Sequence, residues 1–168
     1  MRRRAASFIN INEGKNEVNE ARNEKKLPTS LERARLAAKT ILDNKGSDVK
    51  ILDLREVTQM CDFFVIASGV SRRQLHAMSE EIDDVFEKQL GDARRHLEGY
   101  GESRWIVLDY GDVLVHLFEP ETREFYALED LWGKGKDVAL EAAPGEVDVP
   151  PTETKVVYSD ELGGGKAK

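Results

Sequence analysis

Four groups of residues in this 168-residue chain have types and spacing that could do chemistry. Ser68-Gly69-Val70-Ser71 joins a short apolar run to a helical pattern, where the Gly-Ser loop of a metal-dependent nucleotidyl-transferring enzyme would sit. Such an enzyme needs two carboxylates alternating along a strand after the loop, so that both reach the same magnesium ions. The carboxylates that follow, Asp83 and Asp84, are adjacent on a helix and point about 100° apart, the pattern of a solvated face. The loop also lacks the glycine spacing and the lysine of a P-loop. Asp109 and Asp112 are the other close pair, but Asp112 falls in a turn, where Asp is common for backbone reasons, and Asp109 is fixed to one face of a strand. His76, His96 and His116 fall on a helix, an edge strand and a hairpin, without the spacing of metal ligands. His116 reads equally as a satisfied sheet histidine or as a contact residue. Cys61, the single cysteine, stands at the mouth of an apolar strand and reads as a small apolar side chain. No complete catalytic, metal or cofactor set emerges, which points to a binding protein and not an enzyme.

The elements that must position these groups centre on Trp105 to Trp132. Two apolar runs, Trp105 to Tyr110 and Val113 to Phe118, are separated by Gly111-Asp112, which suits a two-residue type II′ hairpin turn. In that register Leu108 faces Val115 and Ile106 faces Leu117, an aliphatic face that reads as core. The opposite face pairs Asp109 with Leu114, Val107 with His116 and Trp105 with Phe118. This mixture of large apolar groups with an acid and an imidazole is the make-up of a surface that another protein covers. A helix beginning at Pro120 is expected to place Phe125, Leu128 and Trp132 on one stripe, with Tyr126 and Glu129 beside it and Gly133 as its stop.

Upstream, Thr29 and Glu32 form a capping box that opens a first helix, with Leu31, Ala34, Ala38, Ile41 and Leu42 on its apolar stripe and Gly46 as its stop. Val49 to Leu54 and Phe63 to Ala67 read as internal strands. A second capping box, Ser71 and Gln74, opens a long helix that Gly91 closes, and Arg94 to Leu97 reads as a short edge strand. The order α-β-β-α-β-β-β-α predicts an α/β fold, a compact mixed five-stranded sheet with about three helices.

Charge is uneven along the chain. Residues 29–133 hold 13 Lys and Arg against 21 Asp and Glu, within a total net charge of −7. An acidic domain is a poor binder of phosphate backbones, so little direct nucleic-acid binding is expected. No apolar run approaches the roughly 18 residues needed to cross a membrane. The basic Met1 to Arg4 is not followed by the apolar segment of a secretory signal, and one cysteine cannot form an internal disulfide, so a cytoplasmic location is expected. Residues 1–28 and 134–168 have the polar, charged or Ala-Pro-Gly composition of disordered tails flanking a single domain over 29–133.

The pattern W-I-V-L-D-x-G-D-V-x-V-H from Trp105, followed by R-x-x-Y-x-L-E-x-L-W from Arg123, closely resembles the ribosomal silencing factor family, also called Iojap-related proteins. Further support lies in D-F-F-V-I-A-S-G-x-S-R-R-Q (Asp62 to Gln74) and in Glu98-Gly99, so the resemblance covers about residues 31 to 133. It implies a compact α/β fold similar to nucleotidyltransferases. It implies binding to the large ribosomal subunit at its fourteenth protein, on the face that meets the small subunit, and repression of translation by blocking subunit joining, without catalysis or cofactor. It also implies a homodimer formed through the sheet or hairpin surface. On this resemblance Trp105 is the aromatic anchor, or else sheet core. Asp109, Glu98 and Glu129 match acidic positions that would pair with basic groups of the ribosomal protein, or serve as internal salt bridges or caps. Tyr126, Leu128, Leu131 and Trp132 match the terminal helix, where Leu128 and Trp132 read more readily as core. Arg73 would face a partner or the twin subunit. A late large-subunit assembly factor using the same site is an alternative function, as is a metal-dependent nucleotidyltransferase-like enzyme.

Overall fold

A computed structural model describes residues 27–142; the greater part of both expected tails lies outside them. Helix α1 (Ser30–Asp43) opens on the expected capping box, with the Thr29 hydroxyl accepting from the Glu32 amide and the Glu32 carboxylate accepting from the Thr29 amide. At its other end the left-handed residue is Lys45 (φ 63°) and not Gly46. The amides of Lys45 and Gly46 donate to the carbonyls of Leu42 and Ile41, the paired bonds of a Schellman stop. Gly46 is required for space: a Cβ there would lie 2.3 Å from Ile41 Cγ2. Gln74 completes this corner, its side-chain amide donating to the carbonyls of Asn44 and Lys45. Ser71 caps helix α2 (Arg72–Val85) as expected, but Gln74 Oε1 accepts from Val70 and so does not close a reciprocal box. The helix runs on through a π-helical turn, Phe86–Leu90, to Gly91 at φ 72°.

The strands are β1 (Ser47–Asp53), β2 (Phe63–Ser68), β3 (His96–Glu98), β4 (Trp105–Asp109), β5 (Val113–Phe118) and β6 (Lys136–Val138), arranged β3-β4-β5-β2-β1-β6. The sheet therefore has six strands, one more than expected. The extra strand is three residues of a polar stretch too short to show a period, and it lies past residue 133, where a tail was expected. It makes β1 internal, in keeping with the apolar residues that β1 carries on both faces. The hairpin register is the predicted one, from Trp105 opposite Phe118 to Asp109 opposite Leu114, with Gly111 at φ 93° in the turn. At the centre β2 and β5 run parallel, Phe63 beside Val113 through Ser68 beside Phe118.

Strand alternation divides the sheet into two faces. Ile51, Phe63, Val65, Ala67, Ile106, Leu108, Val113, Val115 and Leu117 pack under α1 and α2 against Ala34, Ala38, Ile41, Leu75, Met78, Ile82 and Phe86. Leu42, expected on the α1 stripe, is 44% exposed, and Ala37 takes the buried place. A buried arginine that the apolar pattern hides, Arg33, ties α1 to the rest of the chain. It donates to Asp92 at 2.6 Å and to Asp112 in the hairpin turn. Asp83, expected to be solvated, instead accepts from the Tyr110 hydroxyl at 2.6 Å and from Arg94.

The second face is closed only in part. The expected single helix after Phe118 is broken into α3 (Pro120–Tyr126) and α4 (Leu128–Leu131) at Ala127, which is left-handed at φ 44°. Alanine is the best helix former, so nothing in the local sequence marks the break. Arg123 accounts for it: from α3 its guanidinium donates to Asp48 O and Ser68 Oγ at the sheet end, and also to Glu129 on α4. The break turns Leu128 and Trp132 onto the sheet against Phe64, Ile66 and Phe118. Phe125, expected on the same stripe, points outward and is 80% exposed.

Gly99 sets how closely the loop between β3 and β4 can approach. It sits at φ 72°, and a Cβ there would lie 1.8 Å from the Trp105 carbonyl oxygen. Gly99→Ala should lower unfolding stability by at least about 2 kcal/mol, read as a fall in the urea midpoint with an unchanged m-value.

Candidate partner-binding face

The open face of the sheet can be read row by row from the strand registers. One row runs Glu98, Val107, His116, Ile66, Lys50, and the next runs His96, Asp109, Leu114, Phe64, Leu52. The row ending the hairpin sets Trp105 beside Phe118 and Ser68. Leu128 and Trp132 cover Leu52, Phe64 and Ile66 at the centre of these rows, and the part left open is the hairpin end, where half-buried Trp105, Val107 and Leu114 stand beside Glu98 and Asp109.

Trp105 is half-buried. Its ring stacks on Phe118 with centroids 4.8 Å apart, lies 4.9 Å from Tyr126, and its indole N–H donates to His116 Nδ1 at 3.2 Å. Tyr126 in turn meets Phe125 edge-on at 5.1 Å. The rings therefore pass from buried Phe118, through Trp105, to Tyr126 at 51% and Phe125 at 80% exposure. Leu131, 76% exposed on α4, adds a further apolar side chain to the helical part. Glu121, Glu124 and Asp130 are exposed on the same two helices.

The expected contact residues separate into four groups. Trp105, Asp109, Glu98 and Tyr126 share the open face or its rim. Glu98 is exposed, while Asp109 is half-buried with Oδ1 accepting from the Gly111 amide and Oδ2 3.7 Å from His96 Nδ1. Leu128, 6% exposed, belongs to the core beneath. Glu129 is engaged inside the domain by Arg123; burial raises the carboxyl pKa, but the hydrogen bonds from Arg123 outweigh this and hold it below the usual range. Arg73 lies exposed on α2, in the helix layer across the sheet from the Trp105 ring, so the fold does not bring it to this face. Phe125 is the surface residue that the sequence reading missed. Its spacing from Leu128 matched a buried stripe, and only the break at Ala127 exposes it.

His116 is the buried titratable group of the site, at 5% exposure. Burial pushes its pKa down from 6.5 to about 4, with Glu129 opposing weakly. With Nδ1 accepting from Trp105, the neutral ring carries its proton on Nε2, which is buried without a partner among the described residues. Cys61 is also buried, and burial lifts its thiol to about 12, leaving it a poor nucleophile. Ser103 lies 2.5 Å from His76 Nε2, a spacing seen in hydrolases. However, Ser103 has no exposed surface, and its hydroxyl donates to the Tyr100 carbonyl, so the pair fastens the 99–104 loop to α2. Asp109 and Asp112 have separate partners, the turn amide and Arg33. Among the described residues no three His, Cys, Asp or Glu side chains come together to hold a metal, and no helix is long and apolar enough to cross a membrane.

The fold is an α/β domain whose sheet carries a half-open, aromatic, acid-rimmed face. The family model described as "Ribosomal silencing factor during starvation" matches residues 27–161, and the chain belongs to this family. It is 39% identical over 106 residues to the ribosomal silencing factor of Halalkalibacterium halodurans, covering 63% of this chain and 90% of that protein. It is 36% identical over 103 residues to the chloroplastic protein Iojap of Arabidopsis thaliana, covering 61% and 42% respectively. A crystal structure of a Chromobacterium violaceum protein superposes with a TM-score of 0.60 at 30% identity, over 71% of this chain and 98% of that one.

The direction of the His116 shift gives a pH dependence. Between about pH 6.5 and 4 the unfolded chain binds a proton that the folded chain excludes, so stability falls as pH falls through this window and the loss is complete below about pH 4. At about 1.4 kcal/mol per pKa unit the loss is on the order of 3 kcal/mol. Urea unfolding from pH 7 to 4 should show this slope, and His116→Phe should remove it.

Proposed function

We propose that this protein binds the large ribosomal subunit through its fourteenth protein and blocks joining of the small subunit, repressing translation in the cytoplasm. The observation that carries this reading is the half-buried Trp105, held by rings on a sheet face whose apolar centre continues into exposed Tyr126 and Phe125. A large aromatic side chain already fixed in place loses little freedom on binding and excludes water over a wide area, the properties of an interface anchor. Around it, Glu98 and Asp109 supply negative charge that complements a basic protein surface and disfavours bare phosphates. Steric exclusion needs only such a face, so the protein acts as a non-enzymatic regulator with no cofactor. Family membership supports the ribosomal role. A second reading, action during late assembly of the large subunit, is favoured by 37% identity over 87 residues to a mouse protein named "Mitochondrial assembly of ribosomal large subunit protein 1". The domain itself would occupy 29–133, extended by β6, and a homodimer through the sheet surface would compete with the ribosome for the same apolar groups.

Light scattering of mixed large and small subunits tests the first reading. The wild-type chain should suppress association. Trp105→Ala should weaken large-subunit binding about 30-fold or more, Phe125→Ala about five- to tenfold, and Lys39→Ala on the outer side of α1 should leave it unchanged. Unimpeded association at saturating wild-type protein rejects the steric mechanism. Immature large subunits accumulating during rapid growth of a deletion strain would instead establish the assembly role.

A further inference from the structure

We infer that His116 is a positioning residue for the Trp105 anchor: its Nδ1, fixed by the centre of the sheet, accepts the indole N–H and selects which edge of the ring a partner meets. The inference rests on the proposed binding role of Trp105 for its functional consequence, and on geometry alone for its structural one.

Stacking on Phe118, with the Tyr126 ring tilted against the indole, holds the plane of the ring but does not distinguish its two edges, because a ring turned over within its plane stacks equally well. A hydrogen bond to the single indole N–H does distinguish them. The acceptor must itself be immobile, and His116 meets that condition. It lies on β5 with hydrogen-bonded strands on both sides, opposite Val107 on β4 and Ile66 on β2, and the Phe64 ring packs on it at 4.5 Å.

The second observation is that the arrangement leaves a buried donor unsatisfied. With Nδ1 accepting, Nε2–H has no partner among the described residues and no solvent access. Phenylalanine would fill the same space among Phe64, Phe118 and Trp105 without a buried ring N–H of its own, at the expense of the acceptor that the Trp105 indole now uses. A histidine held at this disadvantage is accounted for by the one thing phenylalanine lacks, an acceptor aimed at Trp105 Nε1.

The experiment uses the full chain carrying Trp132→Phe, so that Trp105 is the only tryptophan, with His116→Phe and His116→Asn added separately. Asparagine places an amide oxygen near the position of Nδ1, whereas phenylalanine keeps the ring and removes the acceptor. In the free protein, H116F should shift Trp105 emission and lower its anisotropy, while H116N should keep both near the parent values. Large-subunit affinity should fall five- to tenfold in H116F and recover to within about twofold of the parent in H116N. An unchanged Trp105 spectrum in H116F overturns the inference, and so does equal impairment of both variants, which would assign His116 to packing. Failure of the wild-type chain to bind large subunits would reject the proposed function, leaving the free-protein spectra to decide the role of His116.

Discussion

The parallel pairing of Phe63–Ser68 with Val113–Phe118 is the constraint on which the remaining structure depends. Because side chains alternate along both strands, this register commits Phe63, Val65, Val113 and Val115 to the helix-covered side and Phe64, Ile66, His116 and Phe118 to the other. Two helices are available for the first side, and they close it completely. On the second side, among the described residues, the cover is α3 and α4, eleven residues in two short pieces, with Leu54, Val57 and Cys61 of the segment after β1; they cover Phe64 and Ile66 but leave the Trp105 end of the hairpin half open. The half-open face is therefore a consequence of unequal cover on a two-sided apolar sheet.

Polar contacts hold the pieces in place where burial alone would not specify them. Arg33 joins α1 to the hairpin turn, and Arg123 joins both short helices to the end of the sheet. Each guanidinium is largely buried and engages carboxylate on separate segments, so removing either would leave uncompensated charge in the interior. Their value is directional. Arg123 in particular fixes the angle between α3 and α4, and that angle decides whether Phe125 or Leu128 meets the sheet.

These two arginines also mark where the sequence stops being legible. The hairpin register, the Thr29 cap and the two faces of the hairpin all follow from alternation, turn chemistry and short-range capping, and the structure has them as read. The break at Ala127 does not follow from such rules. It is imposed by a contact between Arg123 and groups 55 and 75 residues away, and an alanine in a helical pattern gives no warning of it. The same misreading hid Phe125, whereas Leu128 stands among the contact candidates through the resemblance alone and is core, as its place on the stripe suggests. Glu129 was open between an internal and an external partner because its partner on the preceding helix, six residues back, is reached only after the break. Arg73 was grouped with the contact residues by resemblance, and the fold separates it because α2 lies on the opposite layer. Strand β6 escaped for a different reason: three residues are too few to show a period.

His116 connects the closed and open parts of the molecule. Its backbone belongs to the most buried strand pair, and its side chain reaches the least buried large aromatic of the sheet. The orientation of the surface tryptophan is thereby tied to the register of the core, since shifting β4 against β5 by a single residue would turn Trp105 to the opposite face, away from His116. A surface built on a loop would have no such tie, and its anchor would have to be ordered anew at each encounter. Placing the Trp105 ring on a strand, with its hydrogen-bond acceptor on the neighbouring one, makes the shape of the face as persistent as the fold itself.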